Sequence, residues 1–221
     1  MKLQSRHILF LNSRYRATDN AFYLELLNDG YQIAVDGGIQ FFLKNNLRPD
    51  VLIGDFDSAP RLSKKYLSGI EVLRYPSKKN KTDSQLAIEL ALERGAESII
   101  LCGGLGSSEI DHTMGNIFLL DLINRFNKRH GKKCVARLIS PKSSVYLMHN
   151  DSIVLNSKVG NFLSIIPISE SVALDFSGLV YPPPKKRLKF GDTLSLRNRF
   201  KGRRCQLKVG GKAIVVVISD S

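Results

Sequence analysis

The residues best suited to chemistry are acidic and closely spaced. Val51-Leu52-Ile53-Gly54 reads as a short buried strand that runs into Asp55-Phe56-Asp57-Ser58. If the chain stays extended there, side chains at i and i+2 share a face, roughly 6.5–7 Å apart at the Cα atoms. Asp55 and Asp57 then look the same way and Phe56 looks back into the core. Two like charges held that close repel unless a cation sits between them. Hard oxygen ligands suit Mg²⁺, which is commonly held by one or two carboxylates together with the phosphates of a substrate. Gly54 lets the backbone turn tightly or approach a ligand. A surface turn rich in Asp, Gly and Ser is the competing reading of this segment alone.

Other candidates lie at helix starts. Thr82-Asp83 opens a helix, where backbone N–H groups and the helix dipole favour anions. Lys78, Lys79 and Lys81 precede it and add positive charge. The plainer alternative is that Thr82 only caps the helix and Asp83 favours its positive end. Asp111-His112 also begins a helix; Asp111 could be an N-cap and His112 a structural histidine bonded to backbone. Gly103-Gly104-Leu105-Gly106 follows a strand but lacks the trailing Lys-Ser/Thr of a P-loop.

The elements that must position these residues alternate. Ile8–Leu11 is a buried strand ending at Asn12. Asp19–Asn28 is a helix closed by Gly30 as a C-terminal cap. Tyr31–Val35 is a strand ending at Asp36-Gly37-Gly38, and Ile39–Asn45 is a short helix. Ile70–Arg74 is a strand. Thr82-Asp83-Ser84-Gln85 has the spacing of a capping box and starts a helix to about Arg94. Ser98–Cys102 is a strand. A helix from Asp111 to about Lys128 turns Met114, Ile117, Leu120 and Ile123 inward, and Cys134–Ile139 closes the series. Such alternation predicts a mainly parallel, three-layer α/β/α domain over residues 1–140. Ligands of such domains bind beyond the carboxyl ends of the strands. Asp36, Asp55 with Asp57, and the loop from Gly103 to Asp111 all follow strand ends and should gather along one edge.

After Pro141 the pattern changes to short apolar segments: Ser144–Met148, Ser152–Leu155, Phe162–Pro167, Leu194–Leu196, Gln206–Val209 and Ala213–Ile218. His149-Asn150-Asp151, Val159-Gly160-Asn161 and Val209-Gly210-Gly211 read as the turns between them. Residues 141–221 are therefore expected to form a small antiparallel β-sandwich.

Composition narrows the classes. The 221 residues are 43% hydrophobic and 24% charged, which fits a globular protein. No apolar run approaches the ~20 residues of a membrane helix. Ile8–Leu11 is too short for a signal-peptide core, and three cysteines without metal or redox spacing point to the cytoplasm. The net charge of +13 attracts polyanions such as a phosphorylated small molecule, an acidic membrane or nucleic acid. With 8% aromatics and no Trp, a base-stacking platform is poorly supported.

As a set, these pieces resemble the thiamine pyrophosphokinase family. Carrying the resemblance are Asp36-Gly37-Gly38, Pro49-Asp50 with Gly54-Asp55-Phe56-Asp57-Ser58, Lys79 with Thr82-Asp83, Asp111-His112 with Asn116, and Ser177-Gly178-Leu179-Val180-Tyr181-Pro182. They occur in the family's order across nearly the whole chain. The resemblance implies an ATP- and Mg-binding α/β domain and a β-sandwich that binds thiamine and forms a homodimer. Thiamine would lie where the sandwich of one subunit meets the α/β domain of the other. The implied reaction moves a pyrophosphoryl group from ATP to the hydroxyethyl oxygen of thiamine and releases AMP. Asp36, Asp55, Asp57 and Asp83 are implied around Mg²⁺, with Asp55, Asp57 and Asp83 as catalytic residues. Asp36, Lys79, Thr82, Asp111, His112 and Asn116 are implied for ATP.

Three departures stand out. Ser107-Ser108-Glu109 occupies the slot where the family usually has Gly-Gly-Arg, placing an acid near ATP. Asn80 stands where the family usually has Asp. The thiamine-facing Ser-Asn appears as Arg197-Asn198, and a fixed charge at Arg197 would repel the thiazolium unless it points away. Two alternatives follow: a related diphosphokinase acting on another alcohol such as a pterin, or a non-catalytic protein binding nucleic acid through the basic C-terminal half.

Overall fold

The computed structural model describes residues 5–28, 30–57, 59–78, 80–106, 109–184 and 186–219. Ser58, Lys79 and Ser107-Ser108 lie outside the described residues. The chain divides into two compact units, Met1–Pro141 and Lys142–Ser221.

In the first unit, six strands among the described residues pair in parallel: β1 (Arg6–Phe10), β2 (Tyr31–Val35), β3 (Val51–Gly54), β4 (Glu71–Arg74), β5 (Ser98–Cys102) and β6 (Val135–Ser140). Their order is β4-β3-β2-β1-β5-β6. The chain first builds outward from β1 to β4 and then returns to add β5 and β6 on the other side. The loops leaving β1 and β5 therefore diverge, which opens a crevice at the carboxyl edge.

Helices α1 (Asn20–Leu26), α2 (Ile39–Lys44), α3 (Lys64–Leu67), α4 (Asp83–Glu93) and α5 (Ile110–His130) cover the sheet. Alternate strand residues point to opposite faces. Ile8, Phe10, Ala34, Leu52, Ile100 and Cys102 face one way and pack with residues of α1, α2 and α3. Phe10 anchors that layer, stacked on Phe41 at 4.4 Å and edge-on to Phe42 at 5.0 Å. Such pairs add about 0.5–1.5 kcal/mol each beyond their buried area. Leu9, Ile33, Val51, Ile53, Ile99 and Leu101 fill the other face, also fully buried. There α4 packs on β1, β2 and β3, and α5 packs on α4 and β6.

Two expectations about these helices are corrected. The first helix ends at Leu26 rather than Asn28, and Gly30 is not its left-handed cap. A Cβ on Gly30 would lie 2.9 Å from Ile8 Cδ1 and 3.2 Å from the Arg6 carbonyl. This glycine is there because β2 enters hard against β1. Met114, expected inside, is 42% exposed; full burial along α5 is reached only at Leu120 and Ile123. The first turns of α5 border the crevice instead of the sheet. At its far end, Gly131 takes φ +60 as a left-handed cap after the basic turn Lys128-Arg129-His130.

All described strand pairs within the second unit are antiparallel. They comprise β7 (Ser143–Asn156), β8 (Phe162–Pro167), β9 (Ala173–Ser177), β10 (Asn198–Arg199) and β11 (Arg204–Ile218). Four strands expected from the sequence are two long ones. His149-Asn150-Asp151 and Val209-Gly210-Gly211 are not turns between strands but an opposed irregularity inside β7 and β11, where the register shifts between Val209 and Lys212. Asn150 sits at φ +50 and Gly211 at φ +114, and Asn150 Oδ1 accepts the Gly211 N–H at 2.7 Å. A bulge of this kind bends the strands. One half of β11 then pairs with β8 and the other with β9. Both halves of the bent ribbon close over a core that includes Leu163, Ile165, Leu207, Val209 and Val215, giving the small antiparallel sandwich. Leu194–Leu196 is a turn rather than a strand. β9 was not expected, although Leu174 and Phe176 alternate inward along it.

Candidate active site

A cavity of about 660 Å³ opens at the carboxyl edge of the parallel sheet. Its walls come from the residues just past β1, β2, β3 and β5 and from the starts of α4 and α5.

Asp36 is placed by glycines. It takes φ +49 at the end of β2 and begins a single 3-10 turn, Asp36–Gly38. A Cβ on Gly38 would overlap the Phe10 carbonyl oxygen, and one on Gly37 would overlap the Asn12 side chain. The pair thus lets this turn press against the exit of β1, leaving Asp36 only 8% exposed. Gly54, at φ +149, makes the matching approach from β3: its Cβ would lie 3.1 Å from Asp36 Cβ. That conformation is essentially open to glycine alone.

The pleat argument for Asp55 and Asp57 is corrected. The strand stops at Gly54, and Phe56 adopts φ +67, so the two carboxylates are not aligned by extended backbone. A tight loop brings them together instead, with the Asp57 N–H donating to Asp55 Oδ1 at 3.2 Å. Phe56 still packs against the apolar cluster below, and the Arg74 guanidinium lies 5.0 Å over its ring. One carboxylate oxygen from each of Asp36, Asp55 and Asp57 lies within 4.8 Å of the others. An octahedral Mg²⁺ site is about 4.2 Å across at about 2.1 Å per ligand. Neighbouring ligands on such an ion are about 3 Å apart, so three hard oxygen donors within 4.8 Å of one another would share it after closing by up to about 2 Å.

Thr82 is the N-cap of α4, its Oγ1 accepting the Gln85 N–H at 3.2 Å. The return half of the expected capping box is not made: Gln85 Nε2 donates to Glu89 Oε1 at 3.0 Å. Lys81 Nζ donates to the other Glu89 oxygen at 2.7 Å. Burial raises the Glu89 pKa, but the Lys81 and Gln85 hydrogen bonds outweigh it and leave it below its ordinary value. Asp83 lines the cavity but stands outside the group of three carboxylates. Lys79 is outside the described residues.

α5 begins one residue earlier than expected. Glu109 is its N-cap residue, so Asp111 is not the cap but lies in the first turn, where it accepts the His112 N–H at 2.9 Å. Glu109, Asp111, His112 and Asn116 all border the cavity. His112 is not a buried structural histidine; its side chain is 70% exposed, with Nε2 3.7 Å from Glu109 Oε2.

Sequence reasoning missed Asn12, Ser77, Ser84, Gln85 and Gly115 on the wall. Asn12 could have been found, because it follows a strand end just as Asp36 does. Tyr15 was also missed. Its buried hydroxyl lies 2.8 Å from the Leu11 carbonyl and 3.0 Å from the Cys102 carbonyl, and its one proton, shared between them, ties together the two exits that flank the crevice. Burial pushes its pKa well up, so it stays a donor.

Arg197 and Asn198 belong to the second unit. Asn198 is 8% exposed, and its amide is spent on backbone: Oδ1 accepts from the Tyr181 and Arg199 N–H groups and Nδ2 donates to the Tyr181 carbonyl. It therefore fixes the Ser177–Pro182 segment. Arg197, at φ +55, turns its guanidinium onto the Phe162 ring at 3.9 Å, and Arg199 lies 4.2 Å from the same ring.

Comparison with known proteins agrees with this arrangement. The family described as thiamin pyrophosphokinase, catalytic domain, matches residues 23–131. A curated thiamine pyrophosphokinase of Bacillus subtilis (strain 168) is 29% identical over 172 residues, 75% of this chain and 76% of the relative. The crystal structure of thiamine pyrophosphokinase from Bacillus subtilis superposes with a TM-score of 0.80 at 25% identity, covering 97% of this chain and all of that one. Thiamin pyrophosphokinase from Candida albicans shares the fold, with a TM-score of 0.74 at 16% identity over 99% of this chain and 91% of its own. The matched stretch contains Asp36, the Asp55–Asp57 loop, Thr82-Asp83 and Asp111-His112, and over it the chain is similar to the thiamin pyrophosphokinase family.

Proposed function

We propose that this chain is a thiamine pyrophosphokinase that transfers the pyrophosphoryl group of Mg·ATP to the hydroxyethyl oxygen of thiamine, giving thiamine diphosphate and AMP. The observation that carries the site assignment is the meeting of three carboxylates within 4.8 Å on the wall of a sheet-edge cavity that also receives the start of α4. Asp36, Asp55 and Asp57 would hold Mg²⁺, and Asp83 would face the same triphosphate from the first turn of α4. When bound, the ion supplies positive charge against which the polyphosphate is polarised. Such transfers depend mainly on positioning and charge neutralisation, with little covalent work by protein groups. Thr82 and the positive, N-terminal end of α4 orient phosphate oxygens. Lys79 is assigned to the phosphates as well. Asp111, His112 and Asn116 bound the nucleotide side. Tyr15 keeps the crevice at fixed width by holding both its flanking exits.

On the sandwich, Asn198 serves thiamine by holding Tyr181 in place, and Arg197 is compatible with a cationic substrate because its charge is drawn onto Phe162. The active form is a homodimer in the cytoplasm. The similarity to thiamin pyrophosphokinases does not favour a pterin-type diphosphokinase or a nucleic-acid-binding protein. The test is AMP formation from Mg·ATP with thiamine and with a panel of other alcohols. Thiamine-dependent AMP that disappears on chelating the metal is expected. AMP released only with a different alcohol, or none at all, overturns the reading.

A further inference from the structure

We infer that Lys81 is the polyphosphate-positioning residue of this cavity, tethered for that role by Glu89. The inference rests on the nucleotide-binding reading above and adds to it a residue and a device that the carboxylate site does not contain.

The charge on the cavity wall poses the problem. Among the described lining residues, Asp36, Asp55, Asp83, Glu109 and Asp111 are acids, and Lys81 is the one lysine or arginine. A nucleotide tail is itself strongly negative. A divalent ion between Asp36, Asp55 and Asp57 offsets charge at the β2–β3 side alone. The side formed by α4 and α5 still presents Asp83, Asp111 and Glu109 to the incoming phosphates. Lys81 directly precedes the cap residue Thr82, at the N-terminus of an eleven-residue helix, where an anion already has partial positive charge to meet.

The lysine is not left to wander. Its ammonium donates to Glu89 Oε2 at 2.7 Å. Glu89 Oε1 takes the Gln85 side chain at 3.0 Å, and the Gln85 N–H returns to Thr82 Oγ1 at 3.2 Å. The chain Lys81–Glu89–Gln85–Thr82 thereby closes on the cap beside Lys81. An ammonium has three donors, so the tether uses one and leaves the others for phosphate oxygens. A free lysine loses rotamer entropy on being fixed; here much of that ordering precedes ligand binding. The pair is also half exposed, with Lys81 at 48% and Glu89 at 25%. Exposed ion pairs contribute little to folding, so its removal separates binding from stability.

The experiment measures Mg·ATP binding by titration calorimetry without thiamine, alongside the KM values for Mg·ATP and thiamine. The variants are Lys81→Ala, Lys81→Gln, Lys81→Arg and Glu89→Gln, each checked by thermal melting. Lys81→Ala and Lys81→Gln are expected to weaken Mg·ATP binding about tenfold or more, about 1.4 kcal/mol, as for a charge-assisted hydrogen bond. Their thiamine KM should stay within about twofold of the parent, since the lost contact is to phosphate alone. Lys81→Arg should recover most of the affinity. Glu89→Gln, which keeps an acceptor but loses the charge, should weaken it about threefold. Mg·ATP affinity of both Lys81→Ala and Lys81→Gln within about twofold of the parent overturns the inference, as does a parent protein that does not bind Mg·ATP. Parent-like Glu89→Gln overturns the tether. A parent that binds Mg·ATP but makes no AMP with thiamine sinks the activity assignment, while the calorimetry still decides Lys81.

Discussion

Replacing Asp57 by Asn should make the metal-free protein more stable and the enzyme nearly inactive. The carboxylate oxygens of Asp36, Asp55 and Asp57 lie within 4.8 Å of one another. Asp57 is exposed, so a water-like dielectric applies, and each pair at that distance repels by about 0.9 kcal/mol. Neutralising Asp57 removes two such terms, about 1 to 2 kcal/mol after salt screening. For a chain of this size that is a rise in Tm of roughly 2–7 °C without metal. Its backbone N–H still donates to Asp55 Oδ1, so the loop keeps its shape. With Mg²⁺ the order reverses. The parent should gain about 1.4 kcal/mol at ten times the dissociation constant, and the variant almost nothing. Turnover should fall by about 100-fold or more, as for loss of a charge stabiliser in the transition state. The chain has no tryptophan, so scanning calorimetry or far-UV dichroism is the appropriate probe. The two compact units can melt separately, and the transition to follow is the one that moves with Mg²⁺ in the parent. A metal-free Asp57→Asn protein melting below the parent, or one retaining the parent's Mg²⁺ shift, refutes the idea that the three carboxylates share an ion.

Further tests follow from the packing. His7 is 2% exposed, and burial, helped by the nearby charge of Arg94, holds its pKa down at about 4 from the ordinary 6.5. The unfolded chain then binds this proton first as pH falls, so stability is full above pH 6.5 and is lost down to about pH 4, by about 3 kcal/mol in all. Urea unfolding of a His7→Phe variant should lack that part of the pH slope; an unchanged slope contradicts it. Gly38→Ala puts a methyl group on the Phe10 carbonyl oxygen and should cost about 1–3 kcal/mol, together with the Mg²⁺-dependent shift, because Asp36 must move; calorimetry with and without metal tests both. Thr82→Ala should lose about 1 kcal/mol of stability with the cap, and Thr82→Ser should keep it; equal melting of the two would show that the cap hydrogen bond is not what Thr82 supplies.

The strands of the first unit were legible because buried parallel strands are short apolar runs, and Tyr31–Val35 and Ser98–Cys102 match theirs residue for residue. Thr82 as a cap and the gathering of Asp36, Asp55 and Asp111 at one edge followed from simple rules of helix ends and parallel sheets. Where local signals compete, the sequence misled. Asn-Asp and Gly-Gly in the second unit carry the same left-handed preference whether they close a hairpin or bulge a continuous strand, and only the pairing of β7 with β11 chose the bulge. Asp55 and Asp57 were placed together for the wrong reason: periodicity assumed an extended backbone, whereas the approach of Gly54 to Asp36 and the left-handed Phe56 set their geometry.

By itself, then, the sequence determined the alternation of elements, the parallel sheet and the identity of the acids at its carboxyl edge, since these depend on residue type and short-range spacing. The tertiary structure alone decided which acids come within reach of one ion, which side of α4 holds Lys81, and that Asn198 is spent on Tyr181. Those are contacts between residues distant in the chain. For the acids, that approach is fixed by close packing of backbone on backbone, at Gly38 on Phe10 and Gly54 on Asp36, which no local pattern encodes.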